Sequence, residues 1–188
     1  MCGWTRMDSL NQIAEQVARC SLCPLSKTRT KAVPGEGPED AKVMIVGEAP
    51  GYSEDLQGKP FVGLAGKFLN ELLESICVRR EEVFITNVVK CRPPNNRPPR
   101  VGEIKACMPY LERQIKLIKP NVICPLGNSA LNSLVGRKSI GEEHGKVIEN
   151  EGILYLPLYH PAAALYDNSL RKVLYEDFKA LKNLISTC

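Results

Sequence analysis

The chain has no apolar run approaching the ~20 residues that a membrane span requires, which excludes a helical membrane protein. Met1 to Met7 holds few apolar residues, mixed with Arg6 and Asp8, so neither a signal-peptide core nor a transit peptide is expected and a cytoplasmic location follows. There is no internal repeat and no low-complexity tract, and 188 residues fit one domain, residues 1–188, long enough to bury about 70% of the surface of the unfolded chain. Histidine is scarce. With two in the chain, imidazole chemistry rests on His160 or on His144, whose G-E-E-H-G setting reads as an exposed loop. The net charge of +4 is small and by itself only hints at an anionic partner. An apolar fraction of 44% with 24% charged residues is that of a water-soluble globular protein.

Cysteine, by contrast, is plentiful. Eight of them in a chain with cytosolic features suggest metal or redox chemistry before disulfides, so their grouping is the question. Cys20-x2-Cys23 is followed by Cys91 and Cys107, which flank a proline-rich loop. Four thiolates can meet at one point, and tetrahedral zinc, an iron–sulfur cubane and unliganded thiols are all compatible with that spacing. Cys77 and Cys124 lie in apolar runs and read as small core residues, while Cys2 and Cys188 have no partner grouping. Positive charge is also grouped. Lys27, Arg29 and Lys31 stand together, and Lys90, Arg92, Arg97, Arg100 and Lys105 face Glu103 alone, a footprint that suits either an anionic polymer or a solvated loop.

Apolar periodicity predicts helices over Asp8–Arg19, Ala65–Cys77, Gly102–Lys119, Ser129–Val135 and Ser169–Ile185. Between them lie short continuous apolar runs, Lys42–Val46, Val83–Thr86, Asn121–Leu126 and Ile153–Leu158, each reading as a strand buried on both faces. The loop Arg92–Pro99 is surface, because proline has no N–H for a helix interior or a central strand. Strands alternating with helices predict an α/β fold with a parallel sheet covered on both faces, and ligands bind such a sheet beyond the carboxyl ends of its strands.

Those ends carry the polar chemistry. Gly47-Glu48-Ala49-Pro50-Gly51 ends the first strand, Thr86-Asn87 the second, Leu126-Gly127-Asn128 the third and Tyr159-His160-Pro161 the last. Glu48, Asn87 and His160 are therefore expected around one cleft, with Phe61 close by. A core phenylalanine, a capping asparagine and a structural histidine before proline are the competing readings.

Taken in order, the cysteine pair, V-G-E-A-P-G, G-K-P-F-V-G-L-A-G, F-I-T-N-V-V-K-C-R-P-P-N-N-R-P-P, the P-L-G strand end and H-P-A-A resemble the family 4 uracil-DNA glycosylases, from about Cys20 to Ile185. The resemblance implies a three-layer αβα sandwich with a central four-stranded parallel sheet and a [4Fe–4S] cluster on Cys20, Cys23, Cys91 and Cys107. It implies a monofunctional hydrolase of base excision repair that flips uracil out of single- or double-stranded DNA and leaves an abasic site; a noncatalytic iron–sulfur DNA-binding or polymerase-associated module is the alternative. Phe61 is then expected to stack on the base, Asn87 to read its pairing edge, His160 to donate to O2, and Gly47 and Ala49 to form pocket backbone. Glu48 is expected to orient water or shape the pocket. Where the best-known branch of the superfamily has a water-orienting aspartate this chain has Ala49, and where that branch has an aromatic gate it has Gly51, which leaves thymine rejection without a residue. No motif-loop lysine is placed for a Schiff base, so strand cleavage is not expected. Lys90, Arg92, Arg97 and Arg100 are candidates for backbone phosphates, and Leu165 for a wedge or a helix-face residue. A sliding clamp is a candidate partner that the sequence does not identify, and the monomer is the default state.

Overall fold

A computed structural model describes residues 9–150 and 152–187. Asp8, the expected start of the first helix, lies outside them, as do Cys2 and Cys188. In chain order the first half forms α1 (Leu10–Arg19), β1 (Val43–Gly47), α2 (Tyr52–Gln57), α3 (Leu64–Ser75) and β2 (Phe84–Asn87). The second half forms α4 (Val101–Ile118), β3 (Val122–Pro125), α5 (Gly127–Leu134), α6 (Ile140–Glu143), β4 (Ile148–Asn150), β5 (Ile153–Tyr155), α7 (Ala163–Tyr166) and α8 (Ser169–Thr187).

Local chemistry accounts for the main boundaries. Ser9 opens α1 with a reciprocal cap, its hydroxyl accepting from the Gln12 amide while the Gln12 side chain accepts from the Ser9 amide. Glu103 closes the start of α4 in a related way by accepting from the Arg100 amide. β1 is buried over its whole length because it lies between β2 and β3, and its side chains alternate between two cores. Val43 and Ile45 pack with Phe68, Leu69 and Leu72 of α3 and Phe178 of α8, whereas Met44 and Val46 pack with Leu111 of α4 and Ala130 of α5. Helices thus cover both faces of the sheet.

The strand order is β2-β1-β3-β5-β4. The four expected strands are parallel, but the sheet has five: β4 adds an antiparallel edge, with Ile148 opposite Tyr155 and Asn150 opposite Ile153. Ile-Glu-Asn is too short and too polar to announce a strand, and its residues are half-buried or exposed as an edge permits. The expected strand Ile153–Leu158 is interrupted, because Pro157 offers no N–H; Leu158 rejoins the sheet by bridging to Leu126.

Two other expectations are corrected. Cys77 is not a core residue but sits exposed in the turn after α3 with φ +58°, whereas Cys124 is buried on β3. His144 is not on an exposed loop: its Nδ1 lies 2.9 Å from Asp177 Oδ2 on α8 and its ring packs on Tyr159 at 4.7 Å. Among the described residues no helix is long and apolar enough to cross a membrane.

Candidate active site

A cavity of about 480 Å³ opens at the carboxyl ends of the strands, and Glu48, Ala49, Phe61, Asn87 and His160 all line it. The sheet sets Asn87 beside the Glu48 turn directly, since Gly47 of β1, itself not in the cavity lining, is registered against Asn87 of β2. Continued pairing beyond the strands holds the turn, with Val88 N–H donating to Gly47 O (2.9 Å) and Val89 N–H to Glu48 O (3.1 Å). Glycine is required at 47. A Cβ there would collide with Asn87 Oδ1 and come within 2.9 Å of Phe61 Cζ, so the missing side chain is the space in which carboxamide and ring meet.

Asn87 is 1% exposed, and its Oδ1 is buried with no hydrogen-bond partner. An unsatisfied buried acceptor costs about 1–3 kcal/mol, and such groups in folded proteins call for an explanation. A ligand N–H entering the cavity would supply the missing donor. His160 stacks on Phe61 with centroids 5.5 Å apart and planes 27° from parallel. Burial pushes its pKa down to about 4, against the pull of Glu54, so the ring is neutral near pH 7. The Ala162 amide donates to His160 Nδ1 at 3.1 Å. Nδ1 must then be the unprotonated nitrogen, which leaves the proton on Nε2 as a donor.

Glu54, on α2, is a site residue that the sequence reading passed over. Its Oε1 accepts from the Val62 and Gly63 amides, each at 2.9 Å, and so fixes the turn after Phe61. A Cβ on Gly51 would lie 2.7 Å from Glu54 Oε2, so this carboxylate stands beside the position that the absent gate side chain would fill. The available signal was an acid in the first turn of a helix opened by Pro50-Gly51, but six residues are too few for apolar periodicity. Glu48 is half-buried on the cavity wall.

The basic residues separate into different roles. Lys90 does not face solvent: it is 1% exposed, with Nζ donating to Thr86 Oγ1 (2.6 Å), Asn87 O (2.8 Å) and Gln114 Oε1 (2.7 Å). It therefore cannot reach a phosphate, which corrects its expected role; it anchors the end of β2 under Asn87. Burial pushes its ammonium down to about 7. Arg97 is on the cavity rim but forms a two-pronged ion pair with Glu103 at 2.6 and 2.9 Å. Arg92 is half-buried, donates to Asn96 Oδ1 (2.7 Å) and lies 5.1 Å over the Tyr52 ring, while Arg100 is exposed. Leu165 is 43% exposed on α7, and Tyr166 beside it is 92% exposed.

A second, smaller pocket is lined by Cys20, Cys23, Cys91 and Cys107 together with Arg29 and Tyr110. The helix end of α1 delivers the first pair, the loop after β2 brings Cys91, and α4 brings Cys107. Arg29 Nη1 donates to Cys91 Sγ at 2.9 Å and the Lys90 amide to Cys107 Sγ at 3.2 Å, contacts that favour thiolates. Without a metal, burial pushes both thiols up, Cys107 to about 11, so ligand binding there must displace protons. Among the described residues no three His, Cys, Asp or Glu side chains group as ligands of a single ion.

A half-open cavity with a phenyl face, an unpartnered carboxamide oxygen and a neutral imidazole donor suits a planar, edge-polar ring such as a nucleobase. The profile of the Uracil DNA glycosylase superfamily matches residues 34–182, and the chain belongs to that superfamily. It is 51% identical to the Type-4 uracil-DNA glycosylase of Saccharolobus solfataricus, over 96% of this chain and 88% of that protein. The enzymes of the same description from Sulfurisphaera tokodaii and Archaeoglobus fulgidus are 48% and 47% identical, over 96% and 95% of this chain and 87% and 94% of their own.

Proposed function

We propose that the chain is a monofunctional uracil-DNA glycosylase that hydrolyses the N-glycosidic bond of uracil flipped out of DNA and leaves an abasic site for base excision repair. The observation that carries this reading is the buried, unpartnered Oδ1 of Asn87, a residue of the cavity lining beside Phe61 and His160. Uracil N3–H supplies the donor that Oδ1 lacks, and uracil O4 accepts from the amide nitrogen. Thymine and uracil share that edge, so the edge alone does not separate them; Glu54, beside the open place at Gly51, is the residue nearest to a gate.

Rotating the nucleotide outward costs a few kcal/mol, offset by stacking on Phe61 and pairing with Asn87. As the C1′–N1 bond breaks, its electron pair passes to the uracil ring and spreads onto O2, where His160 Nε2–H donates. Removing one such donor typically costs ~3–4 kcal/mol. Positive charge develops on the sugar, a water oxygen adds to C1′, and the proton it releases ends, by way of solvent, on the uracil anion, giving an abasic sugar and neutral uracil. Glu48, on the cavity wall, is assigned to orient that water or to shape the wall behind it. Arg97 at the rim, its charge already balanced by Glu103, and Arg92 and Arg100 from the same loop are assigned to backbone phosphates, and Leu165 to the space vacated by the base.

Cys20, Cys23, Cys91 and Cys107 are assigned to a [4Fe–4S] cluster, a reading supported by the four thiols lining one pocket. When bound, it supplies a cross-link between the end of α1, the loop carrying Cys91 and α4. Arg29 and the Lys90 amide then satisfy two of the sulfurs, and the loop that leaves Asn87 is held at its far end.

An oligonucleotide with one uracil tests the function. The expected result is a strand that breaks only after alkali, with free uracil released. Binding without base release would sink the reading in favour of the noncatalytic module.

A further inference from the structure

We propose that Arg80 is a positioning residue for base recognition, fastening Phe61 in the backbone conformation that turns its ring into the cavity. The inference rests on the assignment of Phe61 to the base. Phe61 is buried and has φ +50°, a conformation that a phenylalanine adopts only where its surroundings impose it.

Three features impose it. Gly66, in the first turn of α3, lies so close to the Phe61 carbonyl that any Cβ would overlap it. On the following side, Glu54 holds the Val62 and Gly63 amides. On the preceding side the Arg80 guanidinium spans the turn: Nη2 donates to Pro60 O at 2.6 Å, and Nη1 donates to Phe61 O at 3.3 Å and to Asn70 Oδ1 on α3 at 3.0 Å. Two consecutive carbonyls of the strained turn are therefore tied to α3 by one planar fork, a geometry that a single ammonium cannot reproduce. Glu36 Oε2, 3.9 Å from Nη2, balances the charge.

Arg80 is not among the residues lining the cavity, and its side chain is 21% exposed. It therefore acts through the turn and not on the substrate. Releasing Pro60 O and Phe61 O frees the turn to relax, which takes the ring away from its stack on His160 and from the open face of Gly47.

The test uses the holoenzyme as wild type, R80M, F61A and R80M/F61A, with three readouts: single-turnover uracil release from DNA, inhibition by free uracil, and affinity for abasic DNA. R80M is expected to lower uracil release about tenfold and to weaken inhibition by free uracil to a similar extent, with abasic-DNA affinity held within about twofold. In the F61A background, the same change is expected to cost less than about twofold, because the ring it positions is gone. An equal loss in both backgrounds, or equal weakening of uracil and abasic-DNA binding, would overturn the role of Arg80 and leave Phe61 in place. F61A at wild-type activity would remove the assignment of Phe61 and this inference with it. Should R80M fold poorly by thermal melting, R80K serves in its place, with the uracil-to-abasic-DNA comparison deciding in the same way.

Discussion

Neutrality of His160 has a consequence for stability that can be measured apart from activity. The ring sits at about 4 in the folded protein because burial disfavours its charge, against 6.5 for an ordinary histidine. Between those values the unfolded chain binds the extra proton and the folded chain does not. The contribution is therefore complete above 6.5 and is lost as the pH falls toward 4; at about pH 5 the loss amounts to about 2 kcal/mol. His160→Asn isolates this from every other titrating group, because asparagine does not ionise and its Oδ1 is able to accept from the Ala162 amide that now bonds Nδ1. Urea unfolding of both proteins at about pH 7.5 and about pH 5 should show wild type losing about 2 kcal/mol relative to H160N across that interval. A difference that stays constant within about 0.5 kcal/mol refutes the neutral ring. The tautomer is separately visible. With two histidines in the chain, ¹⁵N-labelled imidazoles are readily resolved, and His160 should keep its proton on Nε2 throughout. A proton on Nδ1 would remove the donor assigned to uracil O2.

Three other outcomes are expected. N87A should lower kcat/KM about 10²-fold while leaving affinity for abasic DNA within about twofold, since the carboxamide meets only the base; parallel losses in both would count against the pocket assignment. K90M should leave the salt dependence of DNA binding unchanged and lower stability by at least about 2 kcal/mol, because Thr86, Asn87 and Gln114 lose a shared donor, whereas R100A should reduce the salt slope by about 0.9 with little effect on stability. Purified protein should be brown with visible absorption, and stripping the iron should lower uracil release; full activity in folded, iron-free protein would reject the cross-linking role of the four cysteines.

The site was legible where topology alone dictates it. Once four apolar runs are read as parallel strands, their carboxyl ends share one edge, and Glu48, Asn87 and His160 must gather there whatever the loops do. Phe61 came through its motif. What stayed hidden depends on which side of the backbone a residue faces. Lys90 belongs to a basic cluster in sequence, yet it follows Val88-Val89 into the interior and precedes the buried Cys91, and charge sign carries no information about burial. His144 stands among glutamates and glycines, but Asp177, 33 residues onward on α8, draws it in. β4 exists because β5 offers an unpaired edge, a property of the partner strand and not of Ile-Glu-Asn.

These departures share a physical origin. The carboxyl edge of a parallel sheet leaves strand ends and tight turns with backbone groups that no neighbouring strand satisfies. This chain satisfies them with charged side chains. Lys90 takes the carbonyl of Asn87, Arg80 those of Pro60 and Phe61, and Glu54 the amides of Val62 and Gly63. Two of the three base-facing residues are thus held through their main chains, Asn87 by Lys90 and Phe61 by Arg80, neither of which lines the cavity, and the third, His160, is held by the amide of Ala162. Charge that reads in the sequence as an electrostatic surface for DNA is in part internal scaffolding. Fewer cations remain for phosphates than the composition suggests, so the salt dependence of DNA binding should follow the exposed arginines and not the total of basic residues around the loop.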